Sequence, residues 1–194
     1  MSITGAGPVP DRALVVGLGG NLGTEAEIVA RFVEVRRALA SWGPSAASPV
    51  YRSSPVGGPD QPPYLNAALA LQLPGTGDDL AVVELLDAML AVERRLGRDR
   101  TSAAPLGPRT VDVDLLLWGP RVGAWPGPPA LALPHPRLHL RRFVLAPLID
   151  LLGEDVELPG VGATAIACWD ALRTSGQVVE RTRHVLDARA PTAN

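Results

Sequence analysis

This sequence predicts an α+β fold, and two observations carry that expectation. Apolar stretches with strand character alternate with two segments whose apolar residues recur every three or four positions, and Gly/Pro turns separate them. The resulting order is strand, helix, strand, strand, helix, strand. That is the order of a ferredoxin-like sandwich, an antiparallel sheet with helices on its face. With 194 residues and 46% hydrophobic content, the chain can bury one full-sized core. We expect a domain over residues 11–160 and a C-terminal helical extension of that domain over 161–194.

Residues 13–19 read as a buried first strand, closed by Gly20-Asn21-Leu22-Gly23, with Thr24 as a helix N-cap. Ile28, Phe32, Val35 and Leu39 then make one apolar stripe, with Arg31, Glu34, Arg36 and Arg37 mostly away from it, until Gly43-Pro44 stops the helix. A second strand covers residues 47–52. A Pro/Gly loop leads to a third strand over 64–73, which ends at Pro74-Gly75. Asp78 or Asp79 caps the next helix, whose stripe is Val82, Leu85, Leu86, Met89 and Val92, and Gly97 ends it. After an irregular loop over 98–106 comes the last strand of the pattern. Beyond it we expect a short edge strand over 131–134, helices over 142–152 and 164–173, and a frayed or helical tail.

The chemistry is concentrated in the stretch from Gly107 to Trp118. Asp112 and Asp114 interrupt a β-prone apolar run, and because side chains alternate across a strand they share one face. Two adjacent anions repel and need a cation. Oxygen-only ligands of this kind suit Mg²⁺, which takes one or two carboxylates and completes its octahedron with water and nucleotide phosphates. A lone D-x-D fits an edge strand with a polar outer face as well, but here a Gly-Pro turn brings Arg109 up to the pair, placing a guanidinium fork beside a metal and phosphate site. Tyr64 and Asn66 also stand two apart on a strand, so an aromatic plane and an amide share a face suited to a flat heterocycle. Between residues 135 and 143 two imidazoles and three guanidiniums crowd together, which points to an anionic ligand. The glycine cluster Gly17 to Gly23 lacks the Gly-Lys-Ser/Thr ending of a phosphate loop, so tight strand-to-helix packing explains it better.

Composition narrows the function classes. Net charge is −2 with no basic run, so the footprint of a non-specific nucleic-acid binder is missing. All 18 cationic side chains are arginine, which leaves phosphate binding to Arg and His. Cys168 is the single cysteine, so neither an intramolecular disulfide nor a cysteine zinc cluster is possible. Residues 1–10 lack an apolar signal core, and no run approaches the roughly 20 apolar residues a membrane span needs. The expectation is a soluble cytoplasmic monomer with no nucleic-acid or membrane partner. RNA-recognition domains share the strand and helix order, but they need exposed aromatics on a basic face, and this chain is only 4% aromatic.

Six segments in order resemble one family. They are Gly17-Leu-Gly-Gly-Asn-Leu; Tyr51-Arg-Ser-Ser-Pro-Val-Gly; Asp60-Gln-Pro-x-Tyr64-Leu-Asn66-Ala; Glu93-Arg-Arg-Leu-Gly-Arg98-x-Arg100; Gly107-Pro-Arg109-Thr-Val-Asp112-Val-Asp114; and Pro134-His135-Pro-Arg with Arg141-x-Phe143. Together, over residues 13–160, they are similar to 6-hydroxymethyl-7,8-dihydropterin pyrophosphokinase, a folate-biosynthesis enzyme that moves the diphosphate of ATP onto the pterin hydroxymethyl oxygen and releases AMP. The resemblance implies that Asp112 and Asp114 hold two Mg²⁺ ions and that Arg98 and Arg109 engage the triphosphate. It further implies nucleotide contacts from Arg100, Arg141 and His135, with Glu93 near that pocket. Tyr64 and Phe143 would sandwich the pterin, Asn66 would read its polar edge, and Ser53, Ser54 and Val56 would add hydrogen bonds. The chain departs from the family where Leu106 replaces a frequent tryptophan and Ser54 a frequent proline, and where Ala130 and Ala132 stand in place of an arginine and a threonine. A nucleotide- or RNA-binding module of the same fold without catalysis is the alternative, and the presence of Asp112, Asp114, Arg98 and Arg109 argues against it.

Overall fold

The computed structural model describes residues 7–75, 79–98, 107–127 and 130–187. Its elements are β1 (Gly7–Pro8), β2 (Ala13–Gly20), α1 (Glu25–Ala38), β3 (Ser45–Ala47), β4 (Tyr51–Ser53), β5 (Tyr64–Gln72), α2 (Asp79–Arg95), β6 (Asp112–Trp118), β7 (Gly123–Trp125), β8 (Leu131–Leu133), α3 (Arg142–Leu152), β9 (Val156–Leu158), β10 (Ala163–Thr164), α4 (Ala165–Ala171) and β11 (Val179–Arg181). The main sheet runs β11-β4-β5-β2-β6, every neighbouring pair antiparallel, with β3 also pairing β5. Two small sheets, β1-β9-β10 and β7-β8, flank it. The fold is α+β, as expected.

Strand β2 is almost wholly buried because both faces of the sheet are covered. On one side Leu14, Val16, Leu18, Leu69 and Val113 pack against Ile28, Phe32 and Val35 of α1 and Val82, Leu85 and Met89 of α2. On the other, Ala13, Val15, Ala68, Ala70 and Leu117 meet Leu145, Leu148 and Leu152 of α3 and Cys168 of α4. Phe32 is fully buried in the first layer, so truncating it to Ala would cost about 3–5 kcal/mol. Helix α1 starts at the expected cap. Glu27 N–H donates to Thr24 Oγ1 (3.3 Å) and Thr24 N–H to Glu27 Oε2 (2.7 Å), a reciprocal box that satisfies two end groups. Gly20 explains the tight entry into α1, because a Cβ there would lie 2.7 Å from the Thr110 carbonyl and 3.3 Å from the Ile28 side chain.

The second strand of the pattern is divided. Pro49 has no N–H for the ladder, and at the break the Ser48 hydroxyl accepts from Ala68 N–H (2.9 Å) in place of a backbone carbonyl. The tail is corrected over Val179–Arg181: a strand forms there because β4 supplies its hydrogen-bond partners, and three residues are too few to show alternation in sequence. The hairpin strand Gly123–Trp125 escaped the sequence for the same reason. Of the two expected caps of α2, Asp78 lies outside the described residues. No described helix is long and apolar enough to cross a membrane.

Candidate active site

Register brings the site together. On β6, Asp112 pairs opposite Gly19 and Asp114 opposite Gly17, and on the far side of β2, Gly19 faces Asn66 of β5. Directly paired residues project to the same face. Asp112, Asp114 and Asn66 therefore share one face, Asp112 looking across Gly19 to Asn66 and Asp114 across Gly17 to Ala68. The space left above Gly19 opens into a cleft of about 480 Å³, which Gly17, covered by Leu116, also lines and which the start of α3 closes on one side. One strand further out, Tyr64 pairs opposite Ser53.

Two arginines converge on Asp112, the first carboxylate of the acidic pair. Arg98 Nη2 lies 3.1 Å from Asp112 Oδ1, and Arg109 Nη1 is paired with Asp112 Oδ2. Arg98 is further fixed by donating to the Val111 carbonyl (3.0 Å). At the other end of the cleft Asn66 and Ser53, each 4% exposed, share a hydrogen bond from Asn66 Nδ2 to Ser53 Oγ (2.9 Å). Phe143 stands on the first turn of α3, with the Arg141 guanidinium 5.5 Å from its ring centre.

Burial, with the positive charges of Arg141 and Arg137, pulls the His135 pKa down to about 4. Its ring is neutral near pH 7, and since Nδ1 accepts from Arg137 N–H (3.2 Å), the proton sits on Nε2 as a donor. Burial, then Arg137, also lowers Arg141, while the carboxylates of Asp114 and Asp112 pull the other way. The cleft thus combines an acidic strand edge, a group of guanidiniums and a polar, aromatic end. Such a set can hold a polyanion beside a flat, polar ring.

A family model, 7,8-dihydro-6-hydroxymethylpterin-pyrophosphokinase (HPPK), matches residues 15–153. The chain belongs to the HPPK family. Two similar relatives are the 2-amino-4-hydroxy-6-hydroxymethyldihydropteridine pyrophosphokinases of Pseudomonas aeruginosa and Synechocystis sp. The first is 38% identical over 144 residues, covering 74% of this chain and 82% of that protein. The second is 36% identical over 152 residues, covering 78% and 72% respectively. Among solved structures, an HPPK-DHPS in complex with substrates superposes with a TM-score of 0.63 at 10% identity, and wild-type Plasmodium falciparum HPPK-DHPS with 0.58 at 12%. The chain spans 44% of the length of each of these two, and 84% and 82% of it are covered. At that identity they show a shared fold. As a member of the HPPK family, the chain is an ATP-dependent diphosphotransferase of folate biosynthesis.

Within this HPPK cleft the lining includes every site residue expected from sequence except Glu93 and Arg100. Arg100 and the Leu106 departure lie outside the described residues. Glu93 is 1% exposed and turned inward: Oε1 accepts from Val113 N–H (2.8 Å) and Oε2 lies 3.8 Å from Arg98 Nε. It holds the Asp-bearing strand and Arg98 in place from beneath, not from within the cleft. Sequence reasoning missed Asn21. This residue is 2% exposed; its Oδ1 accepts from Arg109 N–H (2.8 Å), and its Nδ2 donates to the Pro62 carbonyl and to Gln61 Oε1, both at 3.1 Å. Gln61 Oε1 also lies 2.9 Å from the Tyr64 hydroxyl, so one amide joins the loops that carry Arg109 and Tyr64. The available signal was a single amide among glycines after a buried strand, where a polar side chain must find partners.

Proposed function

We propose that this cleft transfers the diphosphate of ATP to the hydroxymethyl oxygen of 6-hydroxymethyl-7,8-dihydropterin through the residues named above. The supporting observation is the convergence of Arg98 and Arg109 on Asp112 in the same cleft as Asn66, Tyr64 and Phe143. The pterin oxygen forms a bond to the β-phosphorus, the bond from that phosphorus to the α,β-bridging oxygen breaks, AMP leaves, and the hydroxyl proton passes to solvent. Arg98 and Arg109 release Asp112 and take up phosphate oxygens, holding the chain of phosphates in line. Neutral His135 donates from Nε2, and Arg141 adds a further cation. Ser53, Ser54, Val56 and Asn66 orient the polar edge of the pterin, and Tyr64 and Phe143 hold its faces. Because phosphoryl transfer rests on positioning and charge stabilisation, each positioned donor is worth about 10²–10³ in rate.

Asp112 and Asp114 fit Mg²⁺. Both are oxygen donors on one strand face, and no group of three or more His, Cys, Asp or Glu side chains is arranged for a metal among the described residues, which leaves the remaining positions to phosphate and water. Two such ions bound there would offset the negative charge of the triphosphate around the attacked phosphorus.

The strand order and antiparallel pairing support a ferredoxin-like core, and the pairing of β11 with β4 supports treating 161–194 as part of the domain over 11–160. We read the protein as a cytoplasmic monomer. The deciding experiment is the nucleotide product: with ATP, Mg²⁺ and the pterin, AMP and a pterin diphosphate should appear in equal amounts. Stoichiometric ADP would overturn the assignment of the cleft.

A further inference from the structure

Gln177 lies beyond the stretch that matches the family, yet its side chain is bonded at both ends to the start of α3. Its Oε1 accepts from Arg142 N–H at 2.9 Å, and its Nε2 donates to the Leu140 carbonyl at 3.0 Å. The two bonds bracket Arg141. That residue is the extended N-cap of α3, and its own side chain makes no capping bond, so the Gln177 amide satisfies an N–H group of the first turn that has no partner within the helix. Immediately after it, Val178 O accepts from Ser54 N–H (3.4 Å), and Val179–Arg181 pair with Tyr51–Ser53. A run of a few residues is therefore bonded both to the strand end carrying Ser53 and to the helix start carrying Phe143. Those are the two walls of the pterin half of the cleft.

We propose that Gln177 is a positioning residue for the pterin slot. By fixing the backbone on either side of Arg141, it sets how Phe143 enters the cleft relative to Ser53 and Asn66. The inference rests on the reading of Phe143 as a pterin-stacking residue. A glutamine suits the task because one planar group both accepts and donates. Glutamate keeps only the bond from Arg142 N–H, and methionine keeps the length with neither bond.

Steady-state kinetics and thermal melting of the full chain test this with Gln177→Met, Gln177→Glu, Phe143→Ala and the Gln177→Met/Phe143→Ala double variant. Gln177→Met should raise the KM for pterin about three- to tenfold and leave kcat within about twofold, with Gln177→Glu recovering part of the loss. In the Phe143→Ala background the same change should have a smaller effect, because the ring it positions is gone. A fall in Tm and kcat at unchanged pterin KM would mean a structural brace only and overturn the proposal. So would a raised KM in Phe143→Ala with none in Gln177→Met, which leaves the site reading intact. An unchanged pterin KM in Phe143→Ala would overturn the site reading and this proposal with it.

Discussion

The guanidinium of Arg109 lies 5.5 Å from the centre of the Tyr64 ring while its Nη1 is paired with Asp112, so one side chain spans the distance from the acidic pair to an aromatic plate. Arg141 stands in the same relation to Phe143, also at 5.5 Å. Two of the arginines expected to serve the nucleotide, Arg109 and Arg141, thus rest on the two rings expected to serve the pterin. A cation over an aromatic face is worth about 0.5–2 kcal/mol, and each hydrogen bond between charged groups about 1.5–3 kcal/mol. Phosphate oxygens therefore outweigh the rings.

Binding should accordingly be ordered, with ATP first. Drawing Arg109 and Arg141 toward phosphate clears the faces of Tyr64 and Phe143, and pterin affinity should rise at least tenfold, about 1.4 kcal/mol, when a non-hydrolysable ATP analogue and Mg²⁺ are present. Calorimetric titration of pterin with and without the analogue measures this directly. Equal affinities in the two titrations would rule out the interlock.

Asp112 should matter to stability as well as to catalysis. From sequence alone, relieving two repelling carboxylates is expected to leave the fold intact or strengthen it. Asp112, however, neutralises two guanidiniums at a partly buried site. Asp112→Ala should therefore lose about 1–3 kcal/mol of unfolding free energy, since it takes from Arg98 and Arg109 the anion they share. Both Asp112→Ala and Asp114→Ala should lose at least a hundredfold in turnover, about 2.7 kcal/mol. Urea denaturation and product formation check the two halves separately. Retention of more than about a tenth of wild-type turnover by either variant would remove that carboxylate from the mechanism.

His135 makes the ligand-free protein less stable in acid. Its folded pKa, about 4, lies below the ordinary value of 6.5, so between those values the unfolded chain binds more protons and stability rises with pH. The contribution is fully present above about pH 6.5 and is lost as pH falls through about 4. Stability measured from pH 7 to 4 should fall less steeply in His135→Gln than in the wild type. Resonances of the ring nitrogens should give a midpoint near 4 in the free protein, moving upward when ATP offsets Arg137 and Arg141. A free-protein midpoint near 6.5 would contradict the placement of His135 among those cations.

Much of this was legible in the chain because it is written in local periodicity. The stripe Ile28, Phe32, Val35, Leu39 is buried throughout, and α3 has the expected bounds, since each pattern reports which side of one element faces the core. The two-residue spacing of Asp112 and Asp114, and of Tyr64 and Asn66, gave the shared faces for the same reason. Contacts between distant segments leave no such trace. Nothing near Glu93 indicates that it bonds Val113, nothing near Gln177 points to Leu140, and Val179–Arg181 becomes a strand only because β4 lies beside it. The glycines show both limits. Their restriction to a tight turn was readable at Gly20, whereas the role of Gly17 and Gly19 as the floor of the cleft depends on what the neighbouring strands place opposite them.

Asn21 should prove more important to turnover than its distance in sequence from the charged residues of the cleft suggests. Its Oδ1 takes the Arg109 N–H while its Nδ2 holds Pro62 and Gln61, so the loop bearing the phosphate arginine and the loop leading to Tyr64 are fixed through one buried amide. Asn21→Ala leaves the Arg109 N–H and the Pro62 carbonyl without that partner at a 2% exposed position, at a cost of about 1–3 kcal/mol in stability. It should also release Arg109 from its place over Tyr64, lowering kcat/KM for both substrates. Asn21→Asp separates the two effects: it keeps the acceptor for Arg109 N–H but loses both donated bonds and sets a carboxylate against the acceptor oxygens of Gln61 and Pro62. If Arg109 matters more than the Pro62 loop, Asn21→Asp should retain more kcat than Asn21→Ala at similar stability. Equal kcat in Asn21→Ala and the wild type, with stability lowered as expected, would show that the amide serves the fold alone.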